Sequence, residues 1–422
     1  MTIREATNWA RNLTYQAREV HSPASIADLQ LLVASNDRVR ALGTRHSFND
    51  LADSPGCLLS IVDLPGSVEV DSTTARVKVA AGVRYAELAR HLEKKGFALP
   101  TLASLPHISV AGACVTATHG SGVRNGVLAV SVSELEIVTA TGDLISISRD
   151  TLGNQFNGMV VNLGYLGIVV SLTLDLVPSF EISQRVYEQL DLQAATEHFT
   201  DLVSCAYSVC LFTDWREDRL TQVWIQKRND EPDPHLPAAP WFTATSATRN
   251  LHPVSEMSAM SCTEQLDIPG RWHERLPHFR PEFTPSSGKE LQSEYMISRQ
   301  AAPQALAALN TVRERIHPVL QICEIRTVAS DEFWMSPCYK QDTVSIHFTW
   351  IADGPAVLPV VSLVEENLAE FGARPHWAKI FVTSPNVIRA LYPRMGDFME
   401  LVGQYDPAGK FRNSYFTRYL SD

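Results

Sequence analysis

Hydrophobic and polar positions alternate with two different periods along this chain. In its first part, short runs such as LLSIV (58–62), ARVKVAAG (75–82) and LEIVTATGDLISIS (135–148) are bounded by turn residues and rich in β-branched side chains, which predicts strands. Between them, YAELARHLEKKG sets Ala86, Leu88, Ala89 and Leu92 on one side, which predicts an amphipathic helix stopped by Gly96. The run NLGYLGIVVSLTLDLVP (162–178) predicts one long buried strand closed by Pro178. Farther on, PQALAALNTVRERIHP (303–318) reads as helical.

Two later segments alternate strictly. In ICEIRTVA (322–329), Glu324 and Arg326 share one face, while Cys323, Ile325 and Thr327 share the other. In TVSIHFTWIA (343–352), Ser345, His347 and Thr349 oppose Val344, Ile346, Phe348 and Trp350. If SDEFWMSPCYKQD turns the chain back antiparallel, Glu324, Arg326, His347 and Thr349 form one polar patch on a sheet whose back is packed. The same pattern also suits a sheet with one face in solvent.

Composition narrows the possibilities. The 422 residues make more than one domain the expectation, and a hydrophobic fraction of 45% excludes a disordered chain. The net charge of −11 disfavours a nucleic-acid binder, which needs a basic face. The opening MTIREATNWARNLTYQ lacks the apolar stretch of a secretory signal, and no later run approaches the roughly 20 residues of a membrane helix. A cytoplasmic protein with no membrane partner is therefore expected. The seven cysteines are scattered without a CxxC pair, which argues against a disulfide framework and against a zinc site. No glycine falls between Gly167 and Gly270, whereas prolines crowd residues 231–285, so two differently built regions are expected to meet near Pro178. The proline-rich stretch carries no interpretable motif; it suits a long ordered excursion or a lid.

Two glycine-bearing segments in the first region carry candidate chemistry. RALGTRHSFND (40–50) gathers Gly43, Thr44, Arg45, His46 and Ser47 after a strand-like run, a loop able to approach a phosphate closely. LPHISVAGACVTATHGSGVRNG (105–126) supplies a second loop with Ser109, Gly112, Thr116, Thr118, His119, Gly120 and Ser121. Neither matches GxGxxG or GxxxxGK[ST], and either alone is common in plain turns.

Taken in order, GTRHSFND, VAAGVRYAELARHLEKKGFALPTL, ISVAGACVTATHGSG and NLGYLGIVVSLTL resemble the flavin-binding domain of the vanillyl-alcohol oxidase superfamily. EIRTVASDEFW, HFTW and RPHWAKIF resemble its sugar-alcohol branch, the alditol (xylitol) oxidases, relatives of the aldonolactone oxidases. The resemblance covers essentially the whole chain. It implies an α+β, two-domain flavoprotein: a PCMH-type FAD-binding domain over 1–178, a substrate (cap) domain with an antiparallel sheet over 179–370, and a segment, 371–422, returning to the FAD domain. It also implies a covalent bond from His46 to the flavin 8α-methyl carbon. Leu105 stands where doubly linked relatives carry a cysteine, so a single link is expected. Gly43, Thr44, Arg45, Ser47, Ser109, Cys114, Ala117, Thr118, His119, Gly120, Ser121, Ile168 and His376 complete the implied cofactor contacts, Cys114 through its backbone and Ile168 beside the adenine. His119 equally suits a structural loop histidine.

On the substrate side the resemblance implies Ser109, Glu324, Arg326, Thr349 and Lys379, with His347 beside them. A polyol presents a row of hydroxyls and little apolar surface, so a selective site needs several spaced donors and acceptors. Arg326 and Lys379 are expected to stabilise the developing oxyanion, and His347 to serve as base with a pKa near neutrality. A Glu324–Arg326 pair can also be merely structural. The implied reaction oxidises the C1 hydroxyl of xylitol or D-sorbitol to the aldose, with hydride transfer to flavin N5 and O2 reduced to H2O2. A monomer without a metal is expected. The alternatives are an aldonolactone oxidase or dehydrogenase of the same fold, acting on L-gulono-1,4-lactone, and a catalytically inactive carbohydrate-binding protein. In an extended RPHWAKIF, His376 and Lys379 would face opposite ways.

Overall fold

A computed structural model describes residues 6–232, 241–283 and 289–421. Among the described residues, the N-terminal region holds two larger sheets and a short antiparallel pairing of Phe97–Ala98 with Val177–Pro178. In a three-stranded parallel sheet, Cys57–Ser60 lies between Glu19–His21 and Val39–Leu42. Its inner strand, Cys57–Ser60, is buried on both faces, as a parallel strand requires, and Val39–Leu42 is largely so. An antiparallel five-stranded sheet runs in the order Val68–Asp71, Arg76–Ala80, Ile168–Asp175, Val132–Val138, Leu144–Ser148.

Local chemistry explains where the elements begin and end. The helix Tyr85–Lys94 buries Tyr85, Leu88, Ala89 and Leu92, so Tyr85 takes the inward place expected of Ala86. Gly96 ends it at φ +79°, a backbone angle that glycine adopts without strain. The single strand expected over 162–178 is corrected: it starts only at Ile168. Leu163, Gly164 and Gly167 have φ of 55°, 75° and 147°, and the Asn162 side chain accepts from the Gly164 amide, which makes 162–167 a turn. The helical run at 303–318 likewise divides into Ala302–Thr311 and Arg313–Ile316.

From Glu181 the strands belong to another, nine-stranded antiparallel sheet. Its central order is Glu181–Asp191, Arg219–Arg228, Ser208–Thr213, Leu320–Val328, Thr343–Ile351, Glu290–Ser298. Pairing of Arg374–Pro375 with Tyr295 and Met296 carries this sheet to Pro375. The helices Ala302–Thr311 and Gly354–Leu368 cover one face, packing on Leu291, Tyr295, Ile325, Ile346, Phe348 and Trp350. The opposite face is the polar one, and it is buried as well. The pattern that equally suited a solvated face belongs to a sheet covered on both sides.

The chain then returns to its N-terminal region. Phe398, Leu401, Phe411, Tyr415 and Phe416 enter the first core, as do Phe333, Trp334 and Met335 from the loop between the two alternating strands. The Asn413 side chain donates to the carbonyls of Asp50, Leu51 and Asp53. Arg40, fully buried, donates to the carbonyls of Leu51, Leu163, Gly164 and Phe411 and lies 4.3 Å from the Tyr165 ring centre. No helix among the described residues is long and apolar enough to cross a membrane.

Candidate active site

Between the polar sheet face and the two glycine-bearing loops lies a cavity of roughly 1760 Å³, mouth included.

All five residues from Gly43 to Ser47 line it. They follow directly on the strand Val39–Leu42, and Arg45 turns the chain at φ 64°. The His46 ring stacks on Trp9 at 5.3 Å, and neither ring nitrogen has a protein partner. Burial first, then His107 and Lys379, push its pKa down to about 3, so the ring is neutral. Ser109, whose amide donates to Thr44 Oγ1, faces the same space. A Cβ placed on Gly43 or Gly112 would lie 2.8 or 2.9 Å from Ser109 Oγ. Both loops therefore offer bare backbone around that hydroxyl.

Thr118 and His119 of the second loop also line the cavity. Cys114, Ala117, Gly120, Ser121 and Ile168 lie behind its wall rather than on it. Cys114 sits 3.4 Å from the Tyr85 hydroxyl, with burial pushing its thiol up to about 12. Ser121 Oγ donates to the Val209 carbonyl, and Gly120 is pressed against Thr101 and Leu102. Ile168 is buried between Gly167 and Val169, which do line the cavity.

The antiparallel register brings the substrate-side residues together as the alternation predicts. Glu324 pairs with His347, Arg326 with Ser345 and Ile322 with Thr349. Glu324 Oε1 and His347 Nδ1 are buried without hydrogen-bond partners. Arg326 donates to Glu294 Oε1 at 2.9 Å and to Ser104 Oγ at 3.2 Å. Burial opposes its charge, but Glu324 and then Glu294 hold its pKa above the ordinary value. Lys379 donates to Gln292 Oε1 and lies 5.0 Å from the Phe48 ring centre; burial lowers its pKa. His347 departs from expectation: burial, then Lys379, push its pKa well below the ordinary histidine value rather than leaving it near neutrality.

Residues 376–379 also differ from the extended reading. They form a turn, closed by the Lys379 amide donating to the His376 carbonyl at 3.0 Å. His376 and Lys379 consequently both line the cavity. The first loop clamps this turn: Phe48 N donates to the Ala378 carbonyl, and the Asn49 side chain donates to the carbonyls of Trp377 and Lys379.

Sequence reasoning missed the neighbouring strand, Glu290–Ser298, which contributes Gln292 and Glu294 to the cavity. Alternation in ELQSEYMIS was the available signal. It also missed His278, whose Nδ1 lies 3.3 Å from Glu324 Oε1. His278, Phe279 and His252–Val254 come from the described part of the proline-rich stretch, which thus walls the cavity; residues 233–240 and 284–288 lie outside the described ones. Cys210, His278 and Glu324 bring one potential metal-ligand atom each within 4.8 Å of the others. Arg326 Nε, 3.5 Å from Glu324 Oε1, already supplies positive charge there.

The lining fits a flavin. It offers bare backbone at two glycines, a neutral imidazole whose nitrogens no protein group occupies, and buried donors and acceptors awaiting partners.

Comparisons with known proteins agree. Residues 18–148 match an FAD-binding-domain family and residues 287–419 a D-arabinono-1,4-lactone oxidase family. An alditol oxidase of Streptomyces sp. (strain IKD472 / FERM P-14339) is 51% identical over 98% of both chains. The L-gulonolactone oxidase of Mus musculus is 23% identical over 97% of each chain. Among solved structures, a cholesterol oxidase from Brevibacterium sterolicum superposes with a TM-score of 0.79 at 14% identity, covering 98% of this chain and 96% of its own, which speaks to the fold alone. The chain belongs to the alditol oxidase family of the vanillyl-alcohol oxidase flavoprotein superfamily and is an FAD-dependent oxidoreductase.

Proposed function

We propose that this protein oxidises the C1 hydroxyl of alditols such as xylitol and D-sorbitol to the aldose, using FAD attached through a single covalent link at His46. The observation that carries the reading is the buried polar strand face, with Glu324 Oε1 and His347 Nδ1 lacking hydrogen-bond partners, set across one cavity from the His46 ring, whose nitrogens also lack them. Bound FAD would supply a two-electron hydride acceptor for the carbinol carbon, with O2 as the final oxidant and hydrogen peroxide as its product. The chain's own groups do the rest. Glu324, Thr349 and Ser109 receive the polyol hydroxyls, and Arg326 and Lys379 stabilise negative charge developing on the C1 oxygen in a water-poor pocket. His347, neutral at physiological pH, can accept the hydroxyl proton, although its lowered pKa makes it a weak base. Gly43, Thr44, Arg45, Ser47, Thr118, His119 and His376 would hold the cofactor from the cavity wall. Cys114, Ala117, Gly120, Ser121 and Ile168 would support that wall from behind.

The match of residues 287–419 to a lactone oxidase family favours one second reading, oxidation or dehydrogenation of an aldonolactone. Peroxide release measured side by side with xylitol, D-sorbitol and L-gulono-1,4-lactone separates the two. Flavin that stays with acid-precipitated wild-type protein but is released from His46→Ala would establish the link; colourless wild-type protein would sink the cofactor assignment.

A further inference from the structure

Glu294 has no part in the reaction as set out above, yet its carboxylate is hydrogen-bonded to three other side chains at the site. Its Oε1 accepts from Arg326 Nη2 at 2.9 Å, from His119 Nε2 at 3.0 Å and from Ser345 Oγ. Its carbonyl accepts from the His376 amide at 2.9 Å. The side chain is only 3% exposed. Burial alone would raise the pKa of such a carboxyl, but His119 foremost, with His347 and Arg326, holds it well below the ordinary carboxylate range. Glu294 is therefore a fixed anion in the wall.

Arg326 has two carboxylates within reach, and they are not equivalent. Glu294 takes a direct hydrogen bond, whereas Glu324 Oε1 lies 3.5 Å from Arg326 Nε and both of those atoms lack a hydrogen-bond partner. A buried guanidinium needs one well-bonded anion, and Glu294 already provides it. We propose that Glu294 is the hydrogen-bonded counterion of Arg326, a positioning residue that leaves Glu324, whose Oε1 lies 3.3 Å from His278 Nδ1 but has no hydrogen-bond partner, able to accept hydrogen bonds from substrate hydroxyls. The inference rests on the reading of Glu324 and Arg326 as substrate contacts. It predicts that without the Glu294 charge, Glu324 becomes the remaining anion within 4 Å of the guanidinium, closes onto it and is lost to the substrate.

The test is a double-mutant cycle in the flavin-loaded enzyme, with xylitol as the probe. Glu294→Gln is expected to raise the KM for xylitol by about 10- to 100-fold, the worth of a hydrogen bond to a charged group, with a smaller fall in kcat. Added to Glu324→Gln, it should raise KM by no more than about twofold, because the group it acts through is already gone. Fully additive effects would overturn the proposal, since a merely structural Glu294 predicts them. Glu294→Asp keeps the charge and should stay within about fivefold of the wild-type KM; if it is as impaired as Glu294→Gln, charge is not what matters. Should Glu294→Gln fail to fold, Glu294→Asp decides alone: a KM within about fivefold of wild type supports the proposal and a larger rise overturns it. If Glu324→Gln alone leaves the xylitol KM unchanged, the reading of Glu324 as a substrate contact falls, and the inference falls with it.

Discussion

The indole of Trp9 lies stacked on the imidazole of His46, with ring centroids 5.3 Å and planes 19° apart. Since neither His46 nitrogen is hydrogen-bonded to protein, stacking is what fixes the ring's direction. Trp9→Ala should therefore still bind FAD but form the covalent link proposed at His46 about 10- to 100-fold more slowly, the usual cost of a misaligned nucleophile. Flavin retained after acid precipitation, followed over time on reconstitution, measures this. An unchanged rate would mean that the flavin itself aligns the ring.

Arg326 and Lys379 project into the same cavity from different elements, a strand and a tight turn. Replacing either by Ala should slow anaerobic flavin reduction by xylitol about 10²- to 10³-fold while flavin content stays near wild type. Reduction at the wild-type rate in both variants would show that the substrate-side site is misplaced.

Room for the Ser109 hydroxyl depends on two glycines. A Cβ on Gly112 would meet only Ser109 Oγ, a rotatable group, so Gly112→Ala should change stability by less than about 1 kcal/mol yet raise the xylitol KM as much as Ser109→Ala does. Gly120→Ala is the contrast. Its Cβ would come within 2.4 Å of the Leu102 carbonyl oxygen, which cannot rotate away, and a loss of about 3 kcal/mol is expected. Thermal unfolding and steady-state kinetics on the three variants separate these outcomes.

Acid should destabilise the protein from an early point. Burial, opposed by Glu294 and reinforced by Lys379, lowers the His376 pKa from 6.5 to about 3. The unfolded chain thus binds a proton below pH 6.5 that the folded chain refuses until about pH 3. The stability linked to this residue is complete above pH 6.5 and is lost as pH falls through that window. His376→Asn should flatten the decline of Tm between pH 6.5 and 4; an equally steep decline would assign the effect to other buried histidines.

Much of the site was legible because it follows period-2 alternation or sits in loops of unusual composition. Glu324, Arg326, His347 and Thr349 were placed on one face by spacing alone, and the register puts them there. What spacing could not give was the environment of that face: a polar stripe reads the same whether it meets water or a cofactor domain. Glu290, Gln292 and Glu294 were passed over for that reason, since acidic residues in a strand usually mark solvent. His278 left no local signal at all, because its link to Glu324 joins positions 46 residues apart through an irregular segment. The turn at 376–379 was hidden differently. It is imposed by hydrogen bonds from Phe48 and Asn49, more than 300 positions away, and no local propensity encodes them.

The long return of the chain also orders events during synthesis. Arg40 finds one of its four carbonyl partners at Phe411, and the backbone at Asp50, Leu51 and Asp53 receives its hydrogen bonds from Asn413. A ribosome delivers those partners some 370 residues after the strand they complete. Until then the first unit lacks the hydrogen-bond partners that Phe411 and Asn413 bring to it. A chain stopped short of Phe411 would therefore leave Arg40 without one of its four carbonyl partners and Asp50, Leu51 and Asp53 without the Asn413 side chain, so the first core depends on the C-terminal return for its closure.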